Sequence, residues 1–231
     1  HRLGAQADGL FQFVAAALDH RPEAGRDYAM RLGIDASRAY GDWEEMLVEE
    51  KVREDRIDLV TVATPNATHF EISKNFLEAG FNVLCEKPMT MTVEEGEEIL
   101  RVAEKSGKIC AVNYCYSAYP MVRQARAMIR AGELGKIRLV IANFSHGHHG
   151  DAGDADNPRV RWRYDPAMAG ISGQFADCGI HALHMASFLC DEEVETLSAD
   201  FASTISSREL EDDAMVNFLN WDNTVSFYNE V

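Results

Sequence analysis

No G-x-G-x-x-G turn occurs anywhere in the 231 residues, and no C-x-x-C pair either. The nearest approach to the first is Gly147, Gly150 and Gly153. It follows an apolar run but leads into Asp- and Pro-rich sequence instead of a helix, so it lacks the context a phosphate-cradling turn requires. Five cysteines (Cys85, Cys110, Cys115, Cys178 and Cys190) are odd in number and scattered, which favours reduced thiols and a cytoplasmic location. Basic residues are scarce: 22 Lys and Arg stand against 38 Asp and Glu, a formal net charge of -16. That balance excludes a polyanion partner, so neither nucleic acid nor an anionic membrane surface is expected. It does not call for a cationic substrate, because charge spread over solvated helix faces gives the same total. No apolar run approaches the roughly 20 residues of a membrane-spanning helix. The polar start, His1 to Asp8, has no apolar segment of the kind a secretion signal carries.

What is present is a 46% apolar chain, rich enough to build a real core. Its first half alternates strand and helix patterns. Phe11 to Leu18 reads as a buried strand, Arg21 to Leu32 as a helix, and Asp42 to Lys51 as a helix with Asp42 as N-cap. Ile57 to Thr64 is a β-branched strand stopped by Pro65-Asn66. Thr68 to Ala79 and Val93 to Lys105 are helices closed by Gly80 and Gly107. Phe81 to Cys85 and Ile109 to Asn113 are strands. This alternation implies βα units on a parallel sheet.

The second half differs. Met121 to Ala131 reads as a helix and Ile137 to Ser145 as a strand. Residues 146–174 form a long Gly-, Asp-, His- and Pro-rich loop of the kind that serves as a lid or binding segment. Phe175 to Leu189 is an amphipathic helix, and Val194 to Ile205, Ala214 to Asn220 and Thr224 to Val231 are strands without intervening helices. The expected fold class is therefore α/β. A Rossmann-like parallel sheet over 1–119, its first strand and glycine-rich loop missing, precedes an α+β domain over 120–231 with an open, incomplete antiparallel sheet. Both ends read as cut: no strand precedes His1, and Val231 falls inside a strand pattern.

Four places carry candidate chemistry. Asp19 follows the first strand, where an acidic residue of a doubly wound sheet meets ribose hydroxyls, although a plain loop aspartate is equally at home there. Arg21 stands close enough to serve a 2′-phosphate instead. Thr64-Pro65-Asn66 lies at the carboxyl end of the best strand, with His69 in the next helix's first turn; local capping by Asn66 competes with ligand binding. Glu86-Lys87-Pro88 ends the next strand. Pro88 fixes its own φ and biases Lys87 away from helix, leaving the lysine at the sheet edge, where it suits an alkoxide or hydroxyl better than a surface Lys–Glu pair would need. Asp177 and His181 are i and i+4 near a helix start, and so share a face if that turn is helical, with histidine the natural base near neutral pH. His184 reads as a packed helix histidine. A zinc site from His181 and His184 with His146, His148 and His149 lacks metal-type spacing, so no metal is expected.

Together these pieces resemble the Gfo/Idh/MocA family of oxidoreductases, which includes glucose–fructose oxidoreductase and inositol dehydrogenase. The matching segments are VATPNATH (62–69), LEAGFNVLCEKPMT (77–90), AEKSGKICAVNYCY (103–116), MVRQARAMIRAGELGKI (121–137), WRYDP (162–166) and DCGIHALH (177–184). The EKP turn followed by D-x-G-x-H is the specific part. The resemblance implies a Rossmann domain, an open-sheet second domain and an active site between them. It also implies NAD or NADP as cofactor, with NAD favoured by Asp19, and transfer of hydride from a ring hydroxyl of a sugar, cyclitol or related polyol. It implies that Lys87 holds the reacting hydroxyl, His181 acts as general base, and Asp177 positions substrate or His181. Asp19, Thr64, Pro65, Asn66, His69, Glu86, Lys87 and Asn113 fall on the family's cofactor cleft, and Trp162 and Arg163 on a loop near nicotinamide and substrate. An exposed second-domain sheet implies a homo-oligomer. Two alternatives stand beside the dehydrogenase: a redox-neutral glycosidase-type relative that cycles its NAD, and a non-catalytic nicotinamide-sensing binding protein. The second commonly lacks the lysine or the histidine, and both are present here.

Overall fold

The computed structural model of the chain describes residues 1–145, 147, 150–191, 194–219 and 224–229. The chain divides into two compact units. One comprises 1–63, 68–85 and 94–111, and the other 64–67, 86–93 and 112–231.

The first unit runs α1 (Arg2–Gln6), β1 (Ala16–Ala17), α2 (Pro22–Arg31), β2 (Ala39–Tyr40), α3 (Trp43–Val52), β3 (Leu59–Val62), α4 (His69–Glu78), β4 (Asn82–Cys85) and α5 (Val93–Ser106), with β5 (Cys110–Val112) at its close. Strands pair in parallel, β1 with β2 and β3 with β4, the latter in register Leu59–Asn82 to Val62–Cys85, and β5 joins β4. This is the expected βα alternation. Val62, Val83 and Cys85 on the strands and Phe76, Leu77 and Ile99 on the helices are all buried, and full burial of such a Val, Leu, Ile or Phe side chain is worth about 1.5–3 kcal/mol. Phe76 and Phe81 meet edge-to-face at 5.6 Å. Between them Gly80 adopts φ 83°, the left-handed turn that lets only three residues separate the end of α4 from the start of β4. Asp42 caps α3 by accepting from the Glu45 N–H at 2.7 Å.

The first strand is shorter than its sequence suggests. Only Ala16 and Ala17 pair, and Phe11 and Leu18 are exposed. Apolar character alone does not extend a strand; a ladder needs a partner on each residue, and β2 supplies two.

The second unit carries α6 (Pro120–Arg130), β6 (Leu139–Asn143), α7 (Pro166–Ala169), α8 (Ile180–Cys190), β7 (Thr196–Ala202), β8 (Asp213–Leu219) and β9 (Thr224–Asn229). Its sheet order is β6-β9-β8-β7. β7, β8 and β9 pair antiparallel as expected, but β6 lies parallel to β9. A parallel pair needs a crossover connection, and the helical segment between β6 and β7 provides room for one. One sheet face packs on α8: Ala182 and Ala186 meet Val216 and Phe218, with Val140, Ala142 and Phe175 around them. The long loop expected over 146–174 is largely turned in its described part. Short 3-10 turns cover Ala152–Asp156 and Arg161–Tyr164, followed by α7.

Candidate active site

The Glu86-Lys87-Pro88 turn follows β4, and the Lys87–Pro88 peptide is cis. By its contacts this turn belongs to the second unit, as do Asp177 and His181. The Lys87 Nζ donates to Asp177 twice, to Oδ1 and to the main-chain carbonyl, each at 2.5 Å. The lysine side chain is only 12% exposed, so its charge is held, not solvated. The other Asp177 oxygen, Oδ2, accepts from Arg163 Nε at 3.2 Å. Arg163 stands on the turn Arg161–Tyr164, with its guanidinium 4.4 Å over the Trp162 ring. The structure thus brings together Lys87, Asp177 and Arg163, three residues drawn from separate sequence motifs.

The helix that bears Asp177 does not begin as an α-helix. Phe175–Gly179 form a π-turn, and α8 continues from Ile180. A π-turn widens the ladder and commonly marks functional positions. Here the carbonyl within it, that of Asp177, accepts from Lys87. The surroundings of Gly179 explain why glycine stands in D-x-G-x-H: a Cβ there would collide with the Phe175 ring.

His181 sits one turn on, half-buried among rings. Tyr116 is 4.8 Å away and Tyr114 6.4 Å, both edge-on, and Phe144 is stacked at 5.9 Å. It lines a cleft of about 370 Å³ with Tyr116, Phe144 and Met185. Burial pushes the His181 imidazole down to about 4; the Lys87 charge adds to this, and Asp177 and Glu86 oppose it. The ring is therefore neutral at pH 7 and has a lone pair to accept a proton. His184 stacks on Tyr114 at 3.9 Å, in keeping with a packed helix histidine. His146, His148 and His149 lie outside the described residues. Among the described residues no group of three or more His, Cys, Asp or Glu side chains could hold a metal ion.

The His181 shift has a testable consequence. The unfolded chain takes up this proton near 6.5, the native one only near 4. Between those values the unfolded state binds more protons, so stability is lost as pH falls from about 6.5 towards 4. A His181→Asn variant should show a shallower fall of denaturation midpoint across that window than the parent. Equal slopes would contradict the buried, neutral imidazole.

The remaining predicted positions divide between the units. Asp19 and His69 lie in the first. Asp19 accepts from the Arg21 main-chain N–H at 2.9 Å and from its guanidinium at 3.0 Å on both oxygens, which holds its carboxyl well below the usual range. His69 is fully buried in the first turn of α4. Thr64 and Pro65 follow β3 and lead into the turn Asn66–Thr68. The Asn66 amide has a tertiary role: buried, it donates to the Ala169 carbonyl at 2.9 Å. Asn113 donates to Glu86 Oε1 at 2.7 Å, joining the ends of β4 and β5. Sequence reasoning missed the ring cage of Tyr114, Tyr116 and Phe144. Its signal was the NYCY stretch directly after β5, aromatic where a strand end meets a site.

Two family models match the chain. Residues 4–114 fit the oxidoreductase family with an NAD-binding Rossmann fold, and residues 122–227 fit the GFO/IDH/MocA C-terminal domain. The chain belongs to the Gfo/Idh/MocA family. Among curated relatives, the uncharacterized oxidoreductase YfiI of Bacillus subtilis is 43% identical over 220 residues, 94% of this chain and 56% of that protein. Levoglucosan dehydrogenase of Pseudarthrobacter phenanthrenivorans is 29% identical over 218 residues, 91% of this chain and 53% of that protein. An inositol dehydrogenase homolog from Azotobacter vinelandii, solved with NADH and myo-inositol, superposes with TM-score 0.91 at 35% identity, over 98% of this chain and 58% of that one. The chain thus spans little more than half the length of these relatives. No helix among the described residues is long and apolar enough to cross a membrane.

Proposed function

We propose that the protein transfers a hydride between a ring hydroxyl of a sugar or cyclitol and a nicotinamide cofactor. The observation that carries this reading is the held lysine, Lys87, bonded through Asp177 to the helix that presents a neutral, half-buried His181. An ammonium fixed beside a carboxylate stabilises oxygen as it gains negative charge, and a neutral imidazole accepts the hydroxyl proton. Lys87 is the residue that orients the reacting hydroxyl. His181 is the base that takes its proton at a ring nitrogen. Asp177 fixes Lys87 and shares its second oxygen with Arg163.

The polar groups suit a dinucleotide. Asp19 follows β1, Asn66 follows β3, and the Glu86–Asn113 pair joins the ends of β4 and β5; ligands of parallel α/β sheets bind at such carboxyl ends. The nicotinamide, when bound, supplies the hydride acceptor or donor. Asp19 would hold ribose hydroxyls, and the exposed Arg21 that now pairs with it would turn to a 2′-phosphate, which fits NAD or NADP. Thr64, Pro65, His69, Trp162 and Arg163 complete the proposed lining. A division near Tyr119-Pro120 separates cofactor from substrate domains, and the family matches support it, one ending at 114 and the next beginning at 122. Leu139, Ile141 and Met215 are exposed on the sheet, which supports a homo-oligomer through that surface. The reduced cysteines support a cytoplasmic location.

A spectrophotometric assay tests the reading. Full-length protein is mixed with NAD or NADP and a panel including myo-inositol, D-xylose and levoglucosan. Reduced cofactor should accumulate with at least one polyol; none with any would reject it.

A further inference from the structure

The start of the catalytic helix is held from outside itself. The first N–H groups of a helix have no partner within it. Here Phe175 N and the two N–H groups before it, those of Gly173 and Gln174, go to Glu211, 36 positions beyond Phe175. The Glu211 carboxylate accepts from Gly173 N at 2.9 Å, from Phe175 N at 3.0 Å and from Ser172 Oγ at 2.6 Å, while its main-chain carbonyl accepts from Gln174 N at 3.1 Å. Ser172 Oγ in turn accepts from Ala176 N at 3.2 Å. A carboxylate at this end of the helix also meets the positive end of the dipole.

A continuous path runs from this clamp to the lysine. Glu211 holds Gly173; the Gly173 carbonyl accepts from Asp177 N at 3.1 Å; and Asp177 takes Lys87 on its carbonyl and its carboxylate. The contact is close-fitting, since a Cβ on Gly173 would lie 2.6 Å from the Glu211 carbonyl oxygen. We infer that Glu211 is a positioning residue for the reaction: it fixes the π-turn in the one setting that aims Asp177 at Lys87 and seats His181 in its ring cage. This rests on the dehydrogenase reading for its catalytic consequence, and on geometry alone for its structural one.

The test replaces the carboxylate by its isostere, Glu211→Gln, in the full-length protein. The amide keeps one acceptor oxygen and turns an NH2 group towards donors. Three readouts are taken: NADH-forming turnover, NADH affinity by fluorescence titration, and the His181 titration by NMR. His181 faces Lys87, Asp177, Glu86 and His184 as well as the rings, so its midpoint reports the seating of the whole turn. Turnover should fall on the order of tenfold or more with NADH affinity unchanged, as expected for a misaimed reacting group. The His181 midpoint should rise by about one pH unit as burial is relieved. Glu211→Asp should recover part of both. Should Glu211→Gln fail to fold, Ser172→Ala removes one donor and should move both readouts the same way by less. A folded variant with wild-type turnover and an unmoved His181 midpoint overturns the assignment and leaves Glu211 a stability cap only. If the unaltered protein makes no NADH from any polyol, the dehydrogenase reading fails, and the His181 midpoint alone still decides for or against Glu211.

Discussion

Replacing Lys87 by methionine should lower turnover of the full-length protein by about 10²–10⁴-fold, the range lost when a positioned acid–base or electrostatic group is removed. Methionine keeps the length and apolar body of the side chain but not the ammonium. Lys87 is 12% exposed and its Nζ has two bonds to Asp177, so the fold notices its loss. The cost should stay modest, about 1–3 kcal/mol. Asp177 keeps Arg163 on Oδ2 and is itself 27% exposed, so water can replace the lost donor. Cofactor affinity should change little, because the Lys87 ammonium is directed at Asp177. Lys87→Arg should not rescue, since a planar fork cannot reproduce a point charge bonded to a carbonyl and a carboxylate of the same residue. Steady-state turnover together with an NADH titration checks this. Wild-type turnover in Lys87→Met would remove the lysine from the chemistry.

Gly179→Ala should both destabilise the protein and slow its turnover, although it adds a single methyl. The added Cβ would collide with Phe175 Cδ2 and lie 2.9 Å from Cε2 and 3.0 Å from Cγ. Phe175 has little freedom to yield: its ring packs against the Ala182 and Ala186 cluster and lies 5.4 Å from Phe201. Either the ring leaves the core or the π-turn opens. Overpacking of this kind costs about 1–3 kcal/mol. A turn that moves by an ångström shifts Asp177 and His181 together, for a turnover loss of about 10²-fold. Gly4→Ala is the control, since nothing lies within 4 Å of its would-be Cβ. Urea unfolding midpoints and turnover of the two variants should separate clearly. A Gly179→Ala protein with parental stability and turnover would show that the π-turn is not required.

Much of this fold and site is legible in the sequence. β3 and β4 are β-branched or apolar runs stopped by Pro65 and by Lys87-Pro88, so local sequence sets their carboxyl ends, and the site residues follow directly. What escaped reading depends on partners distant in sequence. Glu50 of α3 is fully buried, and its partners come from outside that helix: Arg38 donates to both its oxygens and Tyr40 to one. Phe11 to Leu18 reads as a strand, but two residues find a ladder. Asp177 and His181 at i and i+4 imply an ordinary helical turn. The Phe175–Gly179 π-turn depends on a ring lying over Gly179 and on Glu211, supplied by the segment before β8. No periodicity in 175–181 encodes either. The same holds for Arg163, whose reach to Asp177 is set by a turn in a loop that composition marked only as functional.

In the proposed reaction hydride passes directly between a polyol carbon and the nicotinamide at the site of Lys87, Asp177 and His181. Deuterium tracing tests it most directly. Carbon-deuterated members of the polyol panel are turned over by the full-length protein, and the reduced cofactor is isolated and weighed by mass spectrometry. One deuterium should appear on the nicotinamide ring, and the Lys87→Met protein should transfer it far more slowly. Turnover that leaves the isolated cofactor unlabelled, with the deuterium lost to water or kept in the product, would contradict the claim.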